Sequence, residues 1–353
     1  MRIVIAIDSF KGCLTSKEAN LAAADAVRRF MPDAETLQVA VSDGGEGFVE
    51  AFHTAIGGDT VEVMTRDPLM RPIPATYLLH DTTAVIETAQ ASGLTLLADE
   101  ERNPLVATSY GTGLLVADAV RRGSRHVIVG LGGSAVSDCG IGMLRALIDS
   151  FAKHGTWDDV HALHDVRFTI ATDVTNPLYG EHGAARVFAP QKCPKGQPTP
   201  ELITLLDQRA RRFAEHSARH FGYDHSRHAG AGAAGGLGYA FLQYLHADCK
   251  PGTELLLDAV RFTDIVADAD LVITGEGSAD RQTLMGKLPA GILRHAGRVP
   301  VYLIAGRVTD EALLLRAGFS RVACINPPCL SPDEAMRREV ATRNIGETVC
   351  RLL

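Results

Sequence analysis

The sequence lacks what would place it in several large classes of protein. No apolar run approaches the ~20 residues needed to cross a bilayer. A mean hydropathy of +0.05 indicates neither a membrane protein nor a disordered chain. The apolar start, Met1 to Ile7, has one basic residue and meets Asp8; it is too short for a secretory leader. The chain is therefore expected in the cytoplasm, with no membrane partner. Its seven cysteines are odd in number and scattered, and none forms a Cys-x-x-Cys pair. Neither a disulfide framework nor a zinc site is suggested. Charge of one sign is also missing: the net charge is -7, the pI is near 6.0, and Arg121-Arg122, Arg211-Arg212 and Arg337-Arg338 stand apart. Without a basic stripe, nucleic acid is not an expected partner. There is no Gly-x-x-x-x-Gly-Lys-[Ser/Thr] and no Gly-x-Ser-x-Gly, which excludes a P-loop kinase and the usual serine hydrolase elbow. His216 and His220 are spaced i, i+4, but no Glu follows the first, as a hydrolytic zinc helix requires.

What is present is an alternation of strands and helices. Arg2–Ile7 is a continuous apolar run, as in a strand buried on both faces. Thr15-Ser-Lys-Glu18 fits a capping box, and a helix follows it. Further strands are expected at 36–41, 59–64, 83–87, 126–130, 169–172, 271–274, 299–305 and 321–325. Helices are expected at 47–56, 113–122, 141–151 and 201–221, and an exposed loop at 191–200. This pattern predicts an α/β protein of two α/β domains. Residues 1–60 and 265–353 would form a Rossmann-like parallel-sheet domain split in sequence, and residues 61–264 a second, inserted α/β domain.

Five expected strand ends carry acids, most with glycines: Asp8-Ser-Phe-Lys-Gly12, Ser42-Asp-Gly-Gly-Glu-Gly47, Gly130-Leu-Gly-Gly-Ser-Ala135 with Asp138, Thr172-Asp-Val-Thr-Asn-Pro177, and Thr274-Gly-Glu-Gly277 with Asp280. Any one of them reads as a turn and a helix cap. Nothing in capping requires an acid at nearly every strand end, and ligands of open α/β sheets bind beyond those ends. Phosphoryl transfer needs what these loops offer: backbone N–H groups around phosphates, a cation, carboxylates for magnesium and a base for the acceptor hydroxyl. Gly130 to Ser134 is the best phosphate cradle, expected as a strand, a turn and then a helix N-terminus. Lys11 is the best cation, and Asp8, Asp43, Glu46, Asp173, Glu276 and Asp280 form the carboxylate pool. The rival is an NAD(P)-dependent hydroxy-acid dehydrogenase. Gly130-x-Gly132-x-x-Ala135 and Gly230-x-Gly232-x-x-Gly235 match a dinucleotide fingerprint formally. However, Asp149 falls in a helix where the ribose-binding acid should end a strand, and no strand precedes Gly230.

These segments, together with Gly111-Thr-Gly, Pro190-Gln-Lys, Gly230-Ala-Gly-Ala-Ala-Gly-Gly-Leu-Gly and Ile273-Thr-Gly-Glu-Gly, closely resemble the bacterial glycerate kinase family of the first type, in the family's order along nearly the whole chain. The resemblance implies transfer of the γ-phosphoryl group of ATP to D-glycerate with Mg²⁺. It favours 2-phosphoglycerate over 3-phosphoglycerate and implies two different α/β domains with the site in the cleft between them. A homodimer is compatible with it. On this reading Gly132, Gly133 and Ser134 bind phosphate and Lys11 neutralises charge. Asp43 or Asp173 is the base, and Glu276 with Asp280 holds metal. Asp8, Ser9, Gly44, Gly45, Glu46, Glu87, Asp138 and Asn176 complete the substrate and nucleotide site. The sequence departs from the family where Ile7 replaces a usual proline and Cys139 a usual glycine. It is also shorter than the family norm between Phe151 and Thr169.

Overall fold

The computed structural model describes residues 1–10, 12–39, 41 and 47–353. Of the candidate residues, Lys11, Asp43, Gly44, Gly45 and Glu46 lie outside the described residues. The strands are β1 (Arg2–Ile7), β2 (Glu35–Gln38), β3 (Asp59–Arg66), β4 (Pro72–His80), β5 (Thr83–Glu87), β6 (His126–Gly130), β7 (Arg167–Ala171), β8 (Asp248–Lys250), β9 (Leu271–Ala279), β10 (Val301–Val308) and β11 (Arg321–Cys324). They form two sheets in an α/β chain that divides into two units. One unit is Met1–Asp43 with Thr54–Ile56 and Thr253–Leu353; the other is Gly44–His53 with Gly57–Gly252.

The first unit is built on a parallel sheet in the order β11-β10-β9-β1-β2. Ile3 to Ile7 are fully buried, which is why β1 reads as an unbroken apolar run. The helix Ser16–Phe30 starts on the expected capping box: the Thr15 hydroxyl accepts from the Glu18 N–H, and the Glu18 carboxylate accepts from the Thr15 N–H. Ala19, Ala23, Ala26 and Val27 of that helix share a core with Ala341, Ile345 and Val349 of the helix Arg338–Leu352. From β1 the chain steps to β2 on one side, whereas β9, β10 and β11 step away on the other. The order therefore reverses between β1 and β9, where open α/β sheets form a ligand crevice.

Asn20, 2% exposed, secures that end of β1. Its side chain accepts from the Ile7 N–H at 2.9 Å and donates to the Val39 carbonyl at 3.1 Å. Replacing Asn20 with Ala orphans both buried groups and is expected to cost about 1–3 kcal/mol in urea unfolding. A loss within ~0.5 kcal/mol, the scatter of neutral surface changes, would show that water replaces the side chain.

The second unit holds the sheet β3-β4-β5-β6-β7-β8, antiparallel over β3 to β5 and parallel from β5 to β8. β4 is absent from the sequence reading because Pro72 and Pro74 argue against a strand. They are tolerated because β5 pairs only with Leu78 to His80, so the proline end of β4 needs no ladder donors toward β5. The helices Tyr110–Arg121 and Ile141–Phe151 pack Leu115, Val116, Met143 and Leu147 into one core with Val127, Val129, Phe168 and Ile170.

Three local expectations are corrected. Glu276 and its flanking glycines do not form a loop; they continue β9, because β10 pairs alongside as far as Ala279 with Val308. The glycine turn after β6 is not followed at once by a helix, which begins only at Ile141. Residues 191–200 are not simply an exposed loop: Lys192 and Cys193 are buried, in and beside the short 3-10 turn Pro190–Lys192.

Candidate active site

Strand ends in each unit gather the candidate residues. In the first unit, at the β1/β9 reversal, the Asp8 N–H donates to the Gly275 carbonyl at 2.9 Å, and the Asp8 carboxylate accepts from the Ser9 N–H at 2.7 Å. Glu276, 6% exposed, accepts from the Thr283 hydroxyl at 2.5 Å and from Lys287 Nζ at 3.2 Å. Burial pushes its carboxyl above the usual range, against the opposing pull of Thr283 and Lys287. Asp280 caps the turn Arg281–Met285, accepting from the Gln282 N–H at 2.7 Å. Both Glu276 oxygens are thus engaged, and no group of three or more His, Cys, Asp or Glu able to hold a metal is assembled among the described residues. A two-carboxylate cage of Glu276 and Asp280 does not fit this arrangement. Sequence reasoning missed Lys287 because Gly286-Lys287 is not preceded by a strand. The available signal was a Gly-Lys step before a helix with proline in its first turn, Leu288–Ala296.

In the second unit the register sets Glu87, Gly130 and Ala171 in one row across β5, β6 and β7. The loops that leave this row carry the remaining candidates. The buried Glu87 carboxylate accepts from the Val49 N–H at 2.7 Å, at the start of the helix Phe48–Ile56. The segment after β6 is fastened on both sides: Leu94 N–H donates to the Gly133 carbonyl at 2.9 Å, Ala135 N–H donates to the Ser92 carbonyl at 2.8 Å, and Ser134 bridges Gly93. Between these ties the Gly132 and Gly133 N–H groups find no acceptor among the described residues. Gly133 is exposed, with a φ of 69°. Two free amides on a fixed turn suit an anion.

Asp138 ties several backbone segments together. Its carboxylate accepts from the Ser109 N–H (2.8 Å) and hydroxyl (2.9 Å), the Gly140 N–H (3.0 Å), the Gly142 N–H (3.1 Å) and the Thr108 hydroxyl (3.4 Å). It thereby caps the helices Tyr110–Arg121 and Ile141–Phe151 together. Asp173 is exposed on the loop after β7. Asn176 holds that loop, donating to the His182 carbonyl at 2.9 Å and accepting the Gly232 N–H at its own carbonyl.

The segment from Gly230 packs against the loop after β6. Ala234, Gly235 and Gly236 are all left-handed before the helix runs on to Leu245. A Cβ at Gly235 would overlap the Val136 carbonyl oxygen. The same carbonyl accepts from Lys192 Nζ at 2.5 Å. Burial draws the Lys192 ammonium down to about 8, with Asp138 and Cys139 pulling it back up. Cys139 itself is left-handed at φ 57°, the conformation that suits the glycine usual in the resembled family. Burial pushes its thiol up to about 12.

The dinucleotide alternative loses its geometry here. The turn after β6 lacks the immediate helix, Asp149 is paired with Arg145 (2.9 Å) and the Tyr110 hydroxyl (3.1 Å), and Gly230 follows no strand.

The profile of the glycerate kinase family matches residues 3–156 and 148–353. The chain belongs to the glycerate kinase family. A glycerate kinase from Bacillus subtilis is 39% identical over 358 aligned positions, covering 95% of this chain and 93% of its own. A glycerate 2-kinase from Escherichia coli is 37% identical over 377 positions, covering 99% and 98%. A crystal structure from Salmonella typhimurium, titled for glycerate kinase 2, superposes with a TM-score of 0.82 at 37% identity, covering 100% of this chain and 97% of that one. This member of the family is accordingly an enzyme, a phosphotransferase. No helix among its described residues is long and apolar enough to cross a membrane.

Two outcomes test the local geometry. Gly235→Ala is expected to destabilise by about 1–3 kcal/mol through overpacking against Val136, read by thermal or urea unfolding. For Lys192, the unfolded side chain near its ordinary 10.5 holds more protons than the folded one between pH 8 and 10.5. Its contribution to stability therefore rises with pH across that window. The stability of wild type relative to Lys192→Met should increase from pH 8 to 10.5; a flat difference would refute the buried ammonium.

Proposed function

We propose that this glycerate kinase family member transfers the γ-phosphoryl group of ATP to D-glycerate, at the 2-hydroxyl. The observation that supports it best is the fastened turn after β6, with free Gly132 and Gly133 amides, issuing from the same strand-end row as Glu87 and Asp173's loop. The E. coli relative's name, glycerate 2-kinase, supports the 2-product.

On this reading the Gly132 and Gly133 amides, with Ser134, receive phosphate oxygens, as oriented N–H groups do. The glycerate hydroxyl oxygen attacks the γ-phosphorus in line, the bond to the β–γ bridging oxygen breaks, and ADP leaves. Asp173 or Asp43 takes the hydroxyl proton. Lys11 and Lys287 are the cations for phosphate or carboxylate charge. Magnesium enters as part of the nucleotide substrate, which requires only one or two protein carboxylates beside phosphate oxygens and water. Asp280 is the better placed of the two metal candidates, because it is half-buried, whereas Glu276 is buried and paired with Lys287. Glu87 positions the helix Phe48–Ile56, and Asn176 shapes the loop after β7.

A coupled ADP assay against a panel of hydroxy acids is expected to show turnover that needs both glycerate and Mg²⁺. NMR of the product should place the phosphate on the 2-oxygen. ADP release indifferent to glycerate would refute the assignment, and absorbance change with NAD(P) would revive the dehydrogenase. Substituting Asn at Asp173 or Asp43 should lower kcat ~10²–10⁴-fold for whichever is the base. Near-normal kcat in both variants would exclude these two acids.

A further inference from the structure

The Lys192 side chain is only 2% exposed, and among the described residues no carboxylate forms an ion pair with it. Its hydrogen bond is to a neutral backbone oxygen, Val136 O. Isolated ammonium groups are costly inside a protein, so a fold that keeps one there has a position to hold. Val136 lies two residues beyond Ser134. On one side the Ala135 N–H is tied to Ser92, and on the other the Cys139 N–H donates to the Gly235 carbonyl at 3.1 Å. Lys192 thus grips the middle of the segment whose start carries the free Gly132 and Gly133 amides. Gly235 leaves room for that grip, because any side chain there would displace the same carbonyl.

We infer that Lys192 is a positioning residue: its ammonium clamps the Val136 carbonyl and so sets the turn that presents the Gly132 and Gly133 amides to a phosphoryl group. The inference rests on the phosphate-cradle reading above. The clamp works through a proton. Charged Lys192 donates a charge-assisted bond and adds positive potential behind the turn, but the cost of burying the charge outweighs these; neutral Lys192 keeps the donor without that cost. The groups acting on it are Asp138 and Cys139, both in the segment after β6. The thiol is neutral at working pH. The Gly230–Gly238 stretch packed on the same carbonyl contains no titratable side chain. Burial brings the Lys192 titration to about 8, within reach of an ordinary pH series.

The test is hydrogen exchange by mass spectrometry on the whole chain, corrected for intrinsic rates, with ADP-release kinetics in parallel. Opening the clamp returns Lys192 to its ordinary 10.5 and so takes up a proton above pH 8; in wild type, peptides spanning 131–140 should therefore gain protection as pH rises from 8 to 10, while β9 and β10 peptides do not. Lys192→Met should lose protection of 131–140 at pH 7 and show no such rise with pH, with kcat/KM lowered ~10–100-fold, the scale of a misplaced site. Lys192→Arg, charged beyond pH 12, should keep the segment protected through pH 10. Equal protection of 131–140 in wild type at pH 7 and 10 overturns the proposal, and that series needs no variant to fold. Wild-type protection and pH profile retained in Lys192→Met overturn it as well. If wild type releases no ADP with any hydroxy acid, the kinase reading fails, and the exchange data still judge the clamp.

Discussion

The Asp138 carboxylate is the point on which the second unit's strand-end architecture depends. It accepts from the N-terminal regions of the helices Tyr110–Arg121 and Ile141–Phe151 at once, so one charged group satisfies donors from two elements that would otherwise be orphaned. A carboxylate there also complements both helix dipoles. Because it lies in the segment after β6, the same contacts determine where that segment ends. The glycine turn is thereby fastened at its far end, at its near end by β6, and at its side by Ser92 to Leu94.

Charged groups divide the work in a consistent way. Carboxylates with many donors, such as Asp138, or with one critical backbone donor, such as Glu87, hold loops in place. Glu276 is different: burial raises its carboxyl, while Thr283 and Lys287 keep it engaged. A buried acid and a lysine at a sheet's topological reversal are the kind of pair that functional sites concentrate. Asp173 is exposed on the loop after β7.

Much of this was legible in the sequence where local chemistry decides structure. β1 was readable because an unbroken apolar run matches a strand buried on both faces, and the helix Ile141–Phe151 was readable from its period. Where distant partners decide, the sequence misled. Pro72 and Pro74 concealed β4, since their tolerance depends on how far β5 reaches. Gly275-Glu-Gly277 read as a loop, because only the presence of β10 makes it strand. Lys192 was hidden in a run of proline, lysine and glycine that looks solvated; only tertiary packing buries it. The acid-rich strand ends were visible together, yet their chemistry differs residue by residue according to which backbone donors each one meets. Lys11 and the Asp43–Glu46 stretch lie outside the described residues, and their share of the site is an expectation from the sequence.

The pairing of Ile3 with Leu271 has a consequence for how the molecule is made. β1 emerges during synthesis well before one of its two neighbours, β9, with seven described strands encoded between them. The second unit is encoded mainly between them and can bury its own core meanwhile. The first unit must wait for residues 271–279, with the apolar edge of β1 unpaired on that side. Its closure is a long-range event, slow by loop-closure entropy and open to mispairing until the C-terminal strands arrive.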